Sequence, residues 1–172
     1  MGSLVTHTNT IRVEPMQTPL GTLLLCEDET GLCGVYYDTL AADLEPYARP
    51  GKLRCDAIAQ LEAYFAGERT QFDLPLSKPQ RTPFAQRVME VVSDIPYGGQ
   101  MSYGDVALQA GSPRGARAVG NVMHTNGLCI VIPCHRVLAA NRGLGGYGEG
   151  TLWRKRYLLR LEGIDYQEPA KR

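Results

Sequence analysis

The sequence predicts a mixed α/β protein in two parts: a small α/β domain over residues 1–80, and a domain built on a helix-turn-helix over 81–172. Three observations predict it. Residues 16–38 carry two short strand-like runs around an acidic turn. From residue 82 onward apolar residues recur at helical spacing, punctuated by Pro and Gly clusters. The charge divides at the same place. Residues 1–80 hold 6 Lys/Arg against 11 Asp/Glu and residues 81–172 hold 12 against 7, although the formal net charge is +0. A basic half on an acidic half suits a domain that faces a polyanion, and equally suits two surfaces that attract each other within the molecule.

In the first part, MQTPLGTLLLCEDETGLCGVYYD (16–38) reads as a hairpin, with TLLLC and GLCGVYY as strands and EDETG as the turn. An acidic stretch broken by Pro46 and Pro50-Gly51 follows. CDAIAQLEAYFAGE (55–68) sets Ile58, Leu61, Tyr64 and Phe65 at helical spacing and ends at Gly67. RTQFDLPLSKPQ reads as a short strand and a linker, and the boundary falls near residues 78–82.

In the second part, TPFAQRVMEVVSDIPYGG (82–99) is a helix with Thr82 as N-cap and Pro83 at its first position. Its apolar face is Phe84, Val88, Val91, Val92 and Ile95. Residues 102–127 give two short helices around Gly111-Ser112-Pro113, the pattern of a helix-turn-helix. TLWRKRYLLRLEG (151–163) is amphipathic, with Leu152, Tyr157, Leu158 and Leu161 opposite a basic face.

A chain of 172 residues can bury a proper core. No stretch approaches the roughly 20 apolar residues of a membrane span, and the N-terminus lacks the pattern of a secretory signal. A cytoplasmic, nucleoid-associated protein is expected. Five cysteines without a CxxC pair argue against a disulfide framework.

The chemistry centres on IVIPCHRVL (130–138), where a strand-like apolar run meets Pro133, Cys134 and His135. A cysteine becomes a nucleophile when a base, a cation or a helix N-terminus populates its thiolate. Adjacent residues on a helical turn do not face each other, so a proton passes from Cys134 to His135 through water. A carboxylate then holds the other imidazole nitrogen, and Glu162 is the candidate. An inert buried cysteine beside a structural histidine fits the same adjacency. The helix PRGARAVGNVM adds a second signal. Gly115, Ala116, Ala118 and Gly120 are small and Arg117 stands among them, which suits close approach to a narrow groove with the arginine inserted. Close packing of two helices is the alternative use of such residues.

Together these residues resemble the O6-alkylguanine-DNA alkyltransferase family of single-turnover DNA repair proteins. IPCHRV is similar to its active-site motif, and ARAVG followed by Asn126 to its arginine-finger helix and hinge asparagine. SYGDVA carries its tyrosine, TPFAQRV opens its C-terminal domain, and GGYG with LLRLEG closes it. The likeness is strong over 82–163 and weaker over 16–75, through TPLG and the AYFAG helix.

The resemblance implies a ribonuclease-H-like N-terminal α/β domain and a winged-helix-like C-terminal domain. It implies that Cys134 takes the alkyl group irreversibly from O6 of a flipped guanine, with His135 as base through water and Glu162 orienting His135. Asn126 braces the turn, Arg117 replaces the flipped base, and Tyr103 presses on the phosphate and donates to the purine. The carbonyls of Cys134 and Val137 accept from the exocyclic amine, Tyr147 and the Gly148 N–H cover the pocket, and Lys155 is a basic position near it. The implied partner is double-stranded DNA carrying O6-alkylguanine, met by a monomer or by cooperative assembly, with no cofactor.

The chain departs from the family at three places. Gly127 stands where proline is common and predicts a freer loop; Cys129 is a possible side target of oxidation; Met89 replaces a common tryptophan. Cys26, Cys33, Cys55 and His7 match no standard zinc spacing, so no metal is expected. Two rivals remain: a DNA-binding module without chemistry (a helix-turn-helix regulator or an alkyltransferase-like lesion sensor), and a thiol hydrolase or acyltransferase.

Overall fold

The computed structural model describes residues 11–37, 44, 46, 48–145 and 150–169. The chain folds as two compact units, Met1–Gln80 with Gly127–Cys129, and Arg81–Asn126 with Ile130–Arg172.

The first unit is a four-stranded sheet with one helix. Strands β1 (Ile11–Thr18), β2 (Gly21–Glu27) and β3 (Leu32–Tyr37) form an antiparallel meander, and β4 (Ala48–Pro50) adds parallel to β1, giving the order β3-β2-β1-β4. Helix α1 (Ala57–Phe65) buries Ala57, Gln60, Leu61 and Tyr64. Strand alternation sends Leu23 and Leu25 of β2 and Val35 of β3 into this core, all fully buried. Glu27, at the end of β2, is buried and fastens the approach to α1: its carboxylate accepts from the backbone N–H of Arg54 and Cys55 and from Arg54 Nε.

Two strands went unpredicted. β1 carries Pro15 near its middle and polar residues on one side, so its alternation is faint; β4 is three residues long and ends in proline. The strand expected over 69–80 is instead an extended segment. It joins β3 at one parallel bridge, Leu32 with Leu76, through Leu32 N to Pro75 O (2.8 Å) and Ser77 N to Leu32 O (2.9 Å). Gln60 pins its start by donating to Asp73 O and accepting from Asp73 N, each at 2.9 Å.

Residues 127–129 extend the same edge of β3. Val35 N donates to Gly127 O at 2.8 Å, and Leu128 bridges Val35. At Gly127 a Cβ would lie 2.8 Å from the Tyr36 hydroxyl, so any side chain there requires the tip of that tyrosine to shift.

The second unit opens with α2 (Pro83–Ser93), whose N-cap Thr82 accepts from Ala85 N, with Pro83 at the first position as predicted. Val88, Met89 and Val92 are its buried residues. Strand β5 (Met101–Ser102) leads directly into α3 (Tyr103–Gln109), capped by the Ser102 hydroxyl on Asp105 N. After the turn at 110–115 comes α4 (Ala116–His124), completing the helix-turn-helix. A single 3-10 turn at Cys134–Arg136 passes into β6 (Val137–Leu138), which pairs parallel with β5. Helix α5 (Leu152–Leu161) closes the unit over a core of Leu138, Leu144, Leu159 and Ile164. Its inward face differs from the expected one: Lys155, Leu158 and Leu159 are buried, whereas Tyr157 and Leu161 are half-buried. No helix among the described residues is long and apolar enough to cross a membrane.

Candidate active site

Ile130 and Val131 form a turn, and Ile132 a lone bridge, rather than the strand these β-branched residues predict. Ile130 sits at φ +74°, a conformation that a β-branched residue adopts only when its surroundings impose it. Asn126 supplies part of that constraint: its Nδ2 donates to Ile132 O at 3.0 Å. The same carbonyl accepts from Cys134 N at 2.8 Å across Pro133, whose φ of −82° and ψ of 63° make an inverse γ-turn. Asparagine, proline and cysteine thus hold one carbonyl between them, and the thiol follows directly. The helical turn that begins at Cys134 is only three residues long, so it supplies no helix dipole of consequence.

Behind the thiol lies a buried ionic cluster. His135 Nε2 meets Glu162 Oε1 at 2.8 Å, and both side chains are fully or almost fully buried. Arg136 holds the same carboxylate with Nε on Oε2 at 2.8 Å and with its terminal nitrogen on Oε1 at 2.9 Å, and also donates to Ile95 O at 2.6 Å. Its guanidinium lies 5.8 Å from the Tyr97 ring centroid. One carboxylate therefore serves a fixed cation and an imidazole at once, and a buried charge needs such pairing to be tolerated. Among the described residues His135 Nδ1 is buried without a hydrogen-bond partner, so the face of the imidazole away from Glu162 is uncommitted.

Lys155 reaches the site from α5. It is fully buried, donates from Nζ to Val137 O at 2.7 Å, and stands 5.9 Å from the Tyr103 ring centroid. Burial pushes its ammonium down from 10.5 to about 8, against the opposing influence of Cys134. Tyr103 is pushed up, by burial first and by Cys134 second. Both groups thus lie within electrostatic range of Cys134, a residue only 3 % exposed. The β5–β6 pairing explains the meeting: it sets Met101 against Val137 and Ser102 against Leu138, so the chain entering Tyr103 runs beside the chain leaving Cys134. Gly145 packs on the tyrosine, where a Cβ would lie 2.9 Å from the ring edge and from the hydroxyl, at φ +69°.

The structure brings together Cys134, His135, Glu162, Asn126, Tyr103, Val137 and Lys155 as the sequence grouped them. Three expectations change. Lys155 is a buried ammonium and not part of an outer basic face. The Val137 carbonyl already accepts from Lys155, leaving one lone pair for a ligand. Gly115 is buried, donates its N–H to Ser112 O at 2.8 Å and closes the turn before α4, so it is no surface contact. On α4, Arg117 and Ala118 are exposed and Ala116 and Gly120 half-buried. Tyr147 and Gly148 lie outside the described residues, as does His7. The sequence reading missed Arg136, although a cation set inside an apolar run is a signal for a buried partner. A surface depression of about 530 Å³ lined by Trp153, Arg156, Tyr157, Arg160 and Leu161 on the outer side of α5 holds none of these groups.

Comparison with known proteins identifies the family. Residues 83–164 match the DNA binding domain of 6-O-methylguanine DNA methyltransferase, and residues 11–78 its ribonuclease-like domain. The chain is 39 % identical over 160 residues to the constitutive methylated-DNA–protein-cysteine methyltransferase of Bacillus subtilis, covering 88 % of this chain and 95 % of that protein. It is 40 % identical over 150 residues to the methylated-DNA–protein-cysteine methyltransferase of Methanosarcina acetivorans, covering 86 % and 95 %. The crystal structure of Mycobacterium tuberculosis OGT in complex with DNA superposes with a TM-score of 0.77 at 39 % identity, over 88 % of this chain and 92 % of that one. With a ribonuclease-like α/β domain and a DNA-binding helical domain both matched, the chain belongs to the O6-methylguanine DNA methyltransferase family.

Proposed function

We propose that this protein repairs DNA by moving the alkyl group of O6-alkylguanine, in duplex DNA, onto its own Cys134. The observation that carries the reading is the buried contact between His135 Nε2 and Glu162 Oε1 at 2.8 Å, immediately beside Cys134, with Nδ1 left uncommitted. In this reading Nδ1 takes the thiol proton through a water. The buried Lys155 ammonium favours the resulting thiolate. The sulfur attacks the alkyl carbon in line, an S–C bond forms and the C–O6 bond breaks. The proton lost by the thiol is regained by the guanine, with Tyr103 hydrogen-bonded to the ring as charge develops. The Val137 carbonyl and the carbonyl of Cys134 receive the exocyclic amine, and Tyr147 and Gly148 cover the base. A thioether has no easy leaving path, so each molecule acts once. No cofactor enters.

Reaching O6 requires the guanine to leave the stack. Helix α4 lies in the minor groove, its Ala118 and half-buried Ala116 and Gly120 allowing close approach, and exposed Arg117 takes the vacated position. The protein works as a monomer in this step, and binding of several copies along one duplex is compatible with it.

Intact mass spectrometry after mixing with a duplex carrying O6-methylguanine tests the reading. One methyl per protein, mapped to the peptide containing Cys134 and lost in Cys134→Ala, is expected. Transfer persisting in Cys134→Ala overturns the assignment. Turnover beyond one equivalent points to a hydrolase, and damage-independent binding without transfer points to a regulator.

A further inference from the structure

Helix α4 does not present a bare face. Arg117, Ala118, Asn121, His124 and Thr125 are exposed, whereas Val119 is buried and Ala116, Gly120, Val122 and Met123 are half-buried. At 3.6 residues per turn the five exposed positions form one arc, and Asn121 stands at its middle. Its neighbours Ala118 and Gly120 are small, so the carboxamide projects beyond them. It is not engaged elsewhere: among the described residues it has no hydrogen-bond partner. Asn121 follows Arg117 by one helical turn, about 6 Å along the axis. Successive base pairs are about 3.4 Å apart. A side chain one turn from the arginine therefore falls within two base pairs of the position that arginine fills.

The minor groove offers limited chemistry there. A·T and T·A pairs show only acceptors, and a G·C pair adds the exocyclic amine of guanine. A carboxamide can donate to any of those acceptors, but its oxygen finds a donor only on guanine. We infer that Asn121 hydrogen-bonds the minor-groove edge of a guanine within two base pairs of the extruded nucleotide, so that alkyl transfer depends on the neighbouring sequence. The inference rests on the groove assignment proposed above, and it adds a base-reading residue to a helix whose other contacts follow shape and charge.

The test measures single-turnover transfer rates on duplexes in which each pair at the first and second positions on either side of O6-methylguanine is in turn G·C, I·C or A·T. Inosine lacks the exocyclic amine and leaves the rest of the guanine edge unchanged. Wild type should react about tenfold faster with G·C than with I·C at one of these positions, and the ratio should fall below about twofold in Asn121→Ala, as expected from the loss of a single base contact. The sign separates this effect from duplex stability. An I·C pair is held less tightly than G·C, so easier extrusion alone would make the inosine duplex react faster. Because the readout is a ratio between duplexes within one protein, a general loss of activity in the variant cancels. Equal rates for G·C and I·C at all four positions, or an inosine effect retained in Asn121→Ala, overturns the inference. Absence of transfer from every duplex overturns the proposed function, and with it the basis of this reading.

Discussion

Replacing Lys155 with methionine should make the protein more stable at neutral pH and slower. The ammonium is fully buried, and burial holds it at about 8 instead of 10.5. That difference corresponds to about 3 kcal/mol of unfavourable free energy for keeping the charged form inside the fold. Below pH 8 the lysine is charged in both folded and unfolded chains, and the full penalty applies. Between about 8 and 10.5 the folded lysine loses its proton while the unfolded one keeps it. The unfolded state then binds more protons, so stability rises with pH across that window. Methionine fills a similar volume without the charge, but it leaves the Val137 carbonyl without the donor now at 2.7 Å, a loss of about 1–2 kcal/mol. Lys155→Met should therefore be more stable than wild type by about 1–2 kcal/mol at pH 7 and lose that advantage by pH 10. Urea denaturation at a series of pH values, followed by circular dichroism, gives the difference directly, and the other titrating groups largely cancel in the comparison. The methyl-transfer rate of the variant should fall, because the cation beside the sulfur is gone. A stability difference that stays flat from pH 7 to pH 10, or a variant that is less stable at pH 7, refutes the assignment of Lys155 as a destabilising charge kept for the chemistry.

Three further outcomes follow from the same geometry. Arg136→Met strands the buried Glu162 carboxylate and should cost about 3–5 kcal/mol in urea denaturation, with the double variant Arg136→Met/Glu162→Gln costing less than the two single changes together; additive losses would mean the pair is not coupled. Gly145→Ala puts a Cβ 2.9 Å from the Tyr103 ring and hydroxyl at a positive φ, and displacing that tyrosine should slow transfer from duplex DNA by up to about a hundredfold; an unchanged rate would remove Tyr103 from the reaction. Gly127→Ala should cost about 1–3 kcal/mol by overpacking against Tyr36, and Tyr36→Phe, which removes the atom 2.8 Å away, should recover much of that cost in a double-mutant cycle.

The parts of the fold that showed in the sequence are those whose local signals agree with the tertiary outcome. α2 has its cap and its first-position proline as read, and of its expected apolar stripe Val88 and Val92 are buried, with Met89 buried beside them and Phe84 and Val91 half-buried. α3 and α4 are separated by residues that cannot continue a helix. β1 was hidden because its side chains alternate weakly around Pro15, and only pairing with β2 makes it a strand. The run 130–132 misled for the opposite reason: three β-branched residues favour a strand, and Asn126 with Pro133 overrides them to turn the chain toward Cys134. Inward-pointing cations were the other blind spot. On a helical wheel Lys155 falls on the face of Leu158 and Leu159, three and four residues on, and its basic neighbours in sequence, Arg154 and Arg156, hid that signal.

Arg136 and Lys155 show what the site needs beyond its thiol and imidazole. A thiolate in a buried setting is unfavourable unless cations accompany it. Glu162 is shared: the guanidinium takes both of its oxygens, at 2.8 and 2.9 Å, and the imidazole takes one of them. The carboxylate orients the ring while its charge is shared with the guanidinium. Lys155, bound through the Val137 carbonyl and facing Tyr103, supplies positive charge from the other side. In the proposed reaction the two cations divide the work: Arg136 fixes the carboxylate that orients His135, and Lys155 favours the thiolate. Arg136→Lys keeps the charge but loses the two-pronged grip on Glu162, and it should slow single-turnover methyl transfer from duplex DNA while the protein remains folded; an unchanged rate would mean that this grip does not position the imidazole.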